Sequence, residues 1–319
     1  MKVAIVGGGP AGLATADHLQ KAGHEVVVFE KGPIAGNIAR YPTYMTWFST
    51  KELLEIGGVP MTVPEDKPTR REYLNYLIRF VETKNIDVRT YHEVTEVSGK
   101  KDAFTVRATN MAGHETKEIF EVVVLATGAY DHPQQLGIPG EDLPKVFHYY
   151  TEPHPYYDKE VLVIGGRNSA VEAALQIRRN GGRVTLSYRR ESFPDSVKYW
   201  IRPDIENRLK AGEITGYMPS EVLSIQPDSA TLRYQDKKIT IPNDFVLAMT
   251  GYEPDTAFFE SIGIRFDPTT KRPDLNPETY ETNIPGIFIV GVIQAGNISS
   301  EIFIENSRLH GEVVARALR

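Results

Sequence analysis

Two stretches of this chain carry glycines at a spacing that lets a backbone approach a phosphate. Residues 7–12 read Gly-Gly-Gly-Pro-Ala-Gly, which places glycine at 7, 9 and 12. Gly7 permits a tight turn, Gly9 lets backbone N–H groups come close to a pyrophosphate, and Gly12 allows a helix to pack closely on a strand. The N-terminus of the following helix then attracts the phosphate charge. Glu30 ends the next apolar run, EVVVFE, where a carboxylate can accept from ribose hydroxyls. The second stretch, residues 165–170, reads Gly-Gly-Arg-Asn-Ser-Ala. Arg167 replaces the middle glycine and adds a positive charge beside a phosphate, while Asn168 and Ser169 add hydrogen-bond donors. The apolar run that follows ends on Ser187-Tyr188-Arg189-Arg190 and carries no acid. An acid there would repel a ribose 2′-phosphate, and paired arginines attract one. Two loops therefore predict two dinucleotides, FAD on the first and NADPH on the second.

The loops need strands and helices to hold them. Residues 2–6 read as a buried strand, 13–22 as a helix ended by Gly23, and 24–30 as a second strand, a complete βαβ opening. Residues 31–67, rich in Gly, Pro and Tyr, read as a mobile stretch. Tyr73, Leu74, Leu77, Ile78 and Val81 predict a helix over 69–84. Strands follow at 87–91, 94–98, 104–109 and 118–125, a meander closed by Ala126-Thr127-Gly128. After an aromatic loop over 130–158, the pattern repeats: strand from Glu160, glycine turn, helix 170–180, strand 183–188. Further strands lie near Ile214 and over 222–226, 230–234, 238–241 and 245–249, the last ending in Thr250-Gly251. A strand over 286–291 and a long helix over 300–318 close the chain. Ser299, Ser300 and Glu301 read as the cap and first turn of that helix, whose dipole would stabilise negative charge on a reduced flavin. The predicted class is α/β, with two nested Rossmann-like domains, each with a parallel sheet and a β-meander. Residues 1–128 form the first part of an FAD-binding domain, 129–251 an inserted NADPH-binding domain, and 252–319 the second part of the FAD-binding domain.

Composition narrows the function. The 319 residues are 41% hydrophobic and 24% charged, with a formal net charge of −6, which gives no basic footprint for nucleic acid. No apolar run approaches the roughly 18 residues that would cross a bilayer, and the N-terminus shows no signal peptide, so a cytoplasmic location is expected. The chain has no cysteine, which removes disulfides, thiolate metal sites and a redox cysteine pair. His148 and His154 lie in the aromatic loop without partners at ligand spacing, so no metal site is expected.

Longer stretches carry a resemblance. YPTYMTWFST at 41–50, LEIGGVP at 54–60, KPTRREYL at 67–74, the run 143–170, the segment 196–200, and YETNIPGIFIVGVIQAGN at 280–297 followed by IFIENSRLHG are long and idiosyncratic. On these the whole chain resembles the two-dinucleotide-binding flavoproteins, in their low-molecular-weight thioredoxin reductase-like branch. Within that branch it is similar to the bacillithiol disulfide reductase family. The resemblance implies FAD contacts from Gly7, Gly9, Pro10, Ala11, Gly12, Glu30, Lys31, Tyr41, Phe48, Val94, Thr127, Gly128, Gly291 and Ile302. It implies NADP contacts from Gly165, Gly166, Arg167, Asn168, Ser169, Ala170, Arg189, Arg190 and Lys198. Three departures stand out. The cysteine pair of thioredoxin reductases would fall near His148 and Thr151, which excludes a dithiol relay and leaves His148 as a catalytic candidate. The cysteine often found in the first glycine loop is Ala11. The acid that often ends the last strand is replaced, in Gly291-Val292, by an apolar residue.

The expected activity is that of an NADPH-dependent, FAD-containing oxidoreductase that passes hydride from NADPH to the flavin and on to an acceptor. The resemblance implies a small disulfide such as bacillithiol disulfide, and a homodimer. A ferredoxin or flavodoxin is the alternative acceptor, and a non-enzymatic NADPH/FAD redox sensor is the alternative from another class.

Overall fold

The computed structural model describes residues 1–298 and 301–319. The chain divides into two units. One comprises Met1–Arg40, Tyr44–His132 and Tyr252–Arg319, and the other comprises Tyr41–Thr43 and Pro133–Gly251.

The first unit is built on a five-stranded parallel sheet in the order Ile287–Ile289, Val122–Leu125, Lys2–Val6, Glu25–Glu30, Asp87–Thr90. Its inner strands are apolar on both faces, as a parallel sheet covered on both sides requires. Ala4, Val6, Val27, Phe29, Val123 and Leu125 face an antiparallel meander formed by His92–Lys100, Ala103–Asn110 and Glu115–Phe120, which supplies Val94, Val97, Phe104, Val106, Ala108 and Phe120 to the same core. Phe29 meets Phe120 edge to face, with ring centroids 5.8 Å apart. The helix Arg70–Lys84 begins in a capping box: the Thr69 hydroxyl accepts from the Glu72 N–H, and the Glu72 carboxylate accepts from the Thr69 N–H.

The second unit repeats the plan. Its parallel sheet runs Thr215–Tyr217, Arg183–Ser187, Glu160–Ile164, Phe245–Ala248, Val146–Phe147. Leu162, Ile164 and Val246 pack against a meander of Ser220–Ile225, Ser229–Tyr234 and Lys237–Pro242, while Val161, Val163 and Leu247 face the helix Asn168–Arg179. The expected pair of nested Rossmann-like units, each with a parallel sheet and a meander, is what the chain forms.

Two predicted elements need correction. The single strand expected over 118–125 is two. Glu115–Phe120 alternates and belongs to the meander, whereas Val122–Leu125 is buried throughout and belongs to the parallel sheet. The switch falls at Glu121, whose N–H donates to the Lys2 carbonyl and whose carboxylate accepts from the Lys2 N–H. The long helix expected over 300–318 is also two, Ile304–Ser307 and His310–Ala317. Arg308 turns back to donate to the Glu52 and Glu55 carbonyls. Gly311 lies so close to Thr15 that a Cβ on it would stand 2.6 Å from the Thr15 Cα, which fixes the second piece against the helix Pro10–Lys21. Four helices were not expected from periodicity: the four-residue Gly36–Ala39 and Lys51–Leu54, inside the stretch read as mobile, and Arg202–Lys210 and Thr256–Ile262. Arg202–Lys210 buries only Ile205, so it has almost no apolar stripe. Thr256–Ile262 is short but carries end signals, an Asp255 cap and Gly263 in the left-handed region.

Candidate functional site

The three glycines of the first loop serve different ends. Gly7 has φ +113° and its N–H donates to the Phe29 carbonyl at 2.8 Å; a Cβ on it would stand 2.4 Å from the Ala126 carbonyl oxygen. A Cβ on Gly12 would stand 2.1 Å from the Gly7 carbonyl oxygen. Both are demanded by the protein's own packing. Gly9 is different. It lies at φ −82°, open to any residue, and a Cβ on it would meet nothing within 4 Å. The open space lies in front of the N-terminus of the twelve-residue helix Pro10–Lys21, where N–H groups lack partners within the helix. This is the shape of a phosphate cradle.

Glu30 borders that cradle. One of its oxygens accepts from the Gly8 N–H at 2.8 Å and the other from the Gly32 N–H at 2.9 Å. Burial pushes its carboxyl up, against the pull of those two bonds. On the facing strand end, the buried Thr127 hydroxyl has no hydrogen-bond partner among the described residues, and Gly128 follows at φ +75°. An orphaned buried hydroxyl beside an open cradle fits a polar ligand that completes it. The residues present therefore fit the pyrophosphate and ribose of a dinucleotide.

The other expected FAD residues are placed as follows. Ala11 abuts Gly291: a Cβ on Gly291 would stand 3.0 Å from that of Ala11. Lys31 pairs with Asp131 at 2.9 Å, and Arg40 also binds Asp131. Burial would push Asp131 up, but Lys31 and Arg40 together hold it below the ordinary carboxylate range. Asn37 lies against this group, 3.4 Å from Asp131, and a Cβ on Gly128 would stand 3.3 Å from the Asn37 amide nitrogen. Phe48 is exposed, with the Lys67 ammonium 5.2 Å from its ring centre. The Val94 side chain belongs to the core under the meander. Ile302 is half-buried just ahead of Ile304–Ser307. Tyr41 falls in the second unit. Ser299 and Ser300 lie outside the described residues, and the helix they were to cap begins instead at Ile304 with only four residues, too short for an appreciable end field.

Asn37, Arg40, Asp131 and His310 were not singled out from sequence. His310 is buried, lies tilted against the Tyr280 ring with centroids 4.8 Å apart, and accepts the Gly291 N–H on Nδ1 at 3.2 Å. Gly291 is at φ +81°, so the imidazole pins the turn that closes the last strand. Burial pushes His310 down to about 4. The unfolded imidazole takes up a proton near pH 6.5 that the folded one refuses until about 4. Stability from this group is therefore complete above pH 6.5 and drains away as pH falls toward 4. By pH 4.5 the loss should reach about 2.5 kcal/mol. Urea unfolding of the wild type and His310→Gln at pH 7 and pH 4.5 checks this. The variant should lose less stability over that interval by about this amount, and an equal loss in both would refute it.

In the second unit, Gly165 has φ +137° and a Cβ on it would stand 2.5 Å from the Met249 carbonyl oxygen. Gly166 rests on the Tyr188 ring, which a Cβ would strike at 2.5 Å. Arg167 and Ser169 are exposed at the start of the helix Asn168–Arg179, and Ala170 is buried beneath it. Arg189 and Arg190 are exposed just past the end of the neighbouring strand, Arg183–Ser187. Among the described residues, Arg167, Arg189 and Arg190 have no acidic partner. Lys198 does: its ammonium meets Glu172 at 2.9 Å and lies 5.4 Å from the Trp200 ring centre. The half-buried Asn168 donates through its amide to the Ser196 carbonyl at 3.0 Å and accepts from the Lys198 N–H at 2.9 Å. His148 stands 3.7 Å from Glu141, whose carboxylate also accepts from the Leu136 and Gly137 N–H groups. No cluster of three or more metal-binding side chains occurs among the described residues.

Residues 4–291 match the family model described as pyridine nucleotide-disulphide oxidoreductase. A bacilliredoxin reductase, Bdr, of Bacillus subtilis strain 168 is 46% identical over 98% of this chain and 96% of its own. The solved bacillithiol disulfide reductase Bdr (YpdA) from Bacillus cereus superimposes with a TM-score of 0.97 at 43% identity, covering 100% of this chain and 99% of that one. A thioredoxin reductase from Lactococcus lactis shares the fold, with a TM-score of 0.78 at 21% identity over 99% and 97% of the two chains.

Proposed function

The chain belongs to the pyridine nucleotide-disulphide oxidoreductase family, and from that premise we propose that it is an NADPH-dependent FAD oxidoreductase that reduces a low-molecular-weight disulfide of the bacillithiol type. One observation carries the reading. The chain holds the same βαβ cradle twice, once beside a carboxylate that accepts N–H groups and once beside arginines that have no acidic partner among the described residues. When bound, the two cofactors supply hydride transfer from NADPH through the flavin to the disulfide.

The chain's own residues bind and orient. In this reading the helix Pro10–Lys21 and the open space at Gly9 receive the FAD pyrophosphate, Glu30 the adenosine ribose, and Thr127 donates its unused hydroxyl. Gly291, held by His310, presents backbone at the far side of the same cradle. Arg167 and the Asn168–Arg179 helix receive the NADPH pyrophosphate, and Arg189 with Arg190 receive its 2′-phosphate. With no cysteine in the chain, the disulfide is reduced without a protein thiol relay.

The purified protein should be yellow and release FAD on denaturation, and it should oxidise NADPH when bacillithiol disulfide is supplied. A folded sample that neither contains nor takes up FAD would overturn the assignment. Parallel assays with a bacilliredoxin, ferredoxin and flavodoxin identify the preferred acceptor, and no turnover with any of them would favour a sensor. No helix among the described residues is long and apolar enough to cross a membrane. The same reading places the protein in the cytoplasm as a homodimer, a state that light scattering on a sizing column checks.

A further inference from the structure

We infer that Asn168 is a positioning residue for cofactor choice: its amide touches no phosphate and instead fastens the strap that follows the arginine loop. The inference rests on NADPH occupying the second glycine loop.

Residues 189–192 are all exposed, and among the described residues they form no hydrogen bond or ion pair. Where Arg189 and Arg190 stand is therefore set by the ends of the loop. The near end is firm. The Tyr188 ring lies under Gly166, its N–H donates to the Tyr217 carbonyl, and its carbonyl accepts from Ser220. The far end begins at Phe193, which is buried and stacks on Tyr188 with centroids 6.2 Å apart and planes 13° apart. Beyond Phe193 the chain is tied down by two residues of one helix face. Asn168 bonds Ser196 and Lys198 through both ends of its amide, and Glu172, one turn later, holds the Lys198 ammonium. Between these ties Val197 is buried. Val197 donates to the Pro194 carbonyl at 3.0 Å and the Lys198 carbonyl accepts from Ile201 and Arg202, all within the segment itself, and the Arg202–Asp195 pair ends on a fully exposed carboxylate and holds weakly.

One donor and one acceptor of the Asn168 amide are committed to the strap, which fixes how the amide points, and one N–H remains. Releasing the amide would join the exposed arginine loop to a longer loosely held segment and enlarge the set of positions open to Arg189 and Arg190. A residue on the pyrophosphate would serve NADPH and NADH alike, since both carry that group. A residue that positions the arginines serves only the cofactor with the 2′-phosphate.

The test uses FAD-loaded protein and steady-state kinetics with both nucleotides. Asn168→Ala should raise KM for NADPH by about tenfold, with KM for NADH changed less than about twofold and kcat at saturating NADPH nearly kept. In a Trp47→Phe background, Trp200 emission should shift on the same substitution, reporting release of the strap. Asn168→Asp keeps the acceptor for the Lys198 N–H and should recover part of the NADPH preference. Equal increases in KM for both nucleotides would place Asn168 on the pyrophosphate and overturn the inference. An Arg189→Ala/Arg190→Ala control separates the two levels. If the control leaves NADPH preference intact, the reading of the second loop fails. If the control loses it and Asn168→Ala does not, the inference about Asn168 fails alone.

Discussion

Replacing Arg189 and Arg190 together by alanine should lower kcat/KM for NADPH by about a hundredfold, with less than about a threefold change for NADH. A charge-assisted bond to a phosphate contributes about 1.5–3 kcal/mol, and about 1.4 kcal/mol is tenfold. Two such bonds on exposed side chains, reduced by solvent screening, give the hundredfold figure. The arginines are suited to this because they are not spent elsewhere: both are exposed and neither has an acidic partner among the described residues. Lys198, which also looked like a phosphate ligand, has its charge engaged by Glu172. The wild-type preference should also weaken as salt rises, since exposed charges are screened beyond about 10 Å at 0.1 M. Kinetics with both nucleotides at two ionic strengths check both statements. Should the preference survive the double substitution, the 2′-phosphate lies elsewhere, with Arg167 the next residue to change.

The fold was legible wherever local pattern and long-range partner agree. The first strand, helix and second strand could be read because apolar runs, a glycine loop and a terminal acid recur at fixed offsets, and Lys2–Val6 pairs with Glu25–Glu30 in register. The helix Arg70–Lys84 was legible from its apolar stripe, while its Thr69 capping box was not read. Local pattern failed where a partner decided the outcome. Nothing near residue 121 says that Val122–Leu125 leaves the meander; the Lys2 backbone captures Glu121. The last helix breaks because Arg308 reaches the carbonyls of residues 52 and 55, more than 250 positions away. The site shows the same division. Gly7, Gly12 and Glu30 follow from spacing. Asp131 with Lys31 and Arg40, and His310 under Gly291, are pairings between distant side chains and leave no periodic trace. Asn168 was expected as a donor to a phosphate; the acceptor its amide meets in the chain, the Ser196 carbonyl, lies 28 residues on and was not foreseen.

Gly9→Ala and Gly12→Ala should separate a glycine required by a ligand from one required by the fold, although both belong to one motif. At Gly12 the added methyl would stand 2.1 Å from the Gly7 carbonyl oxygen, which is backbone and cannot swing away. Helix and strand would have to part, at a cost of about 3 kcal/mol, the upper end for overpacking. Thermal unfolding should show a fall of several degrees for Gly12→Ala whether or not FAD is added. At Gly9 the backbone is already in an ordinary region, φ −82° and ψ 178°, and no described atom lies within 4 Å of the added carbon. The chain loses the modest preference for glycine over alanine at a helix cap and gains about 0.4–1 kcal/mol from a stiffer unfolded state. The net change in intrinsic stability should be below about 1 kcal/mol. The methyl does, however, occupy the space in which a pyrophosphate must approach the backbone. FAD affinity should then fall by tenfold or more, about 1.4 kcal/mol or greater. Without added FAD, unfolding of Gly9→Ala should match that of wild-type protein stripped of flavin. The stabilisation that rising FAD concentration gives the wild type should appear in the variant only at correspondingly higher concentrations. If Gly9→Ala bound FAD as tightly as wild type, the open space before Pro10–Lys21 would not be where the pyrophosphate lies, and the assignment of the first loop would have to move.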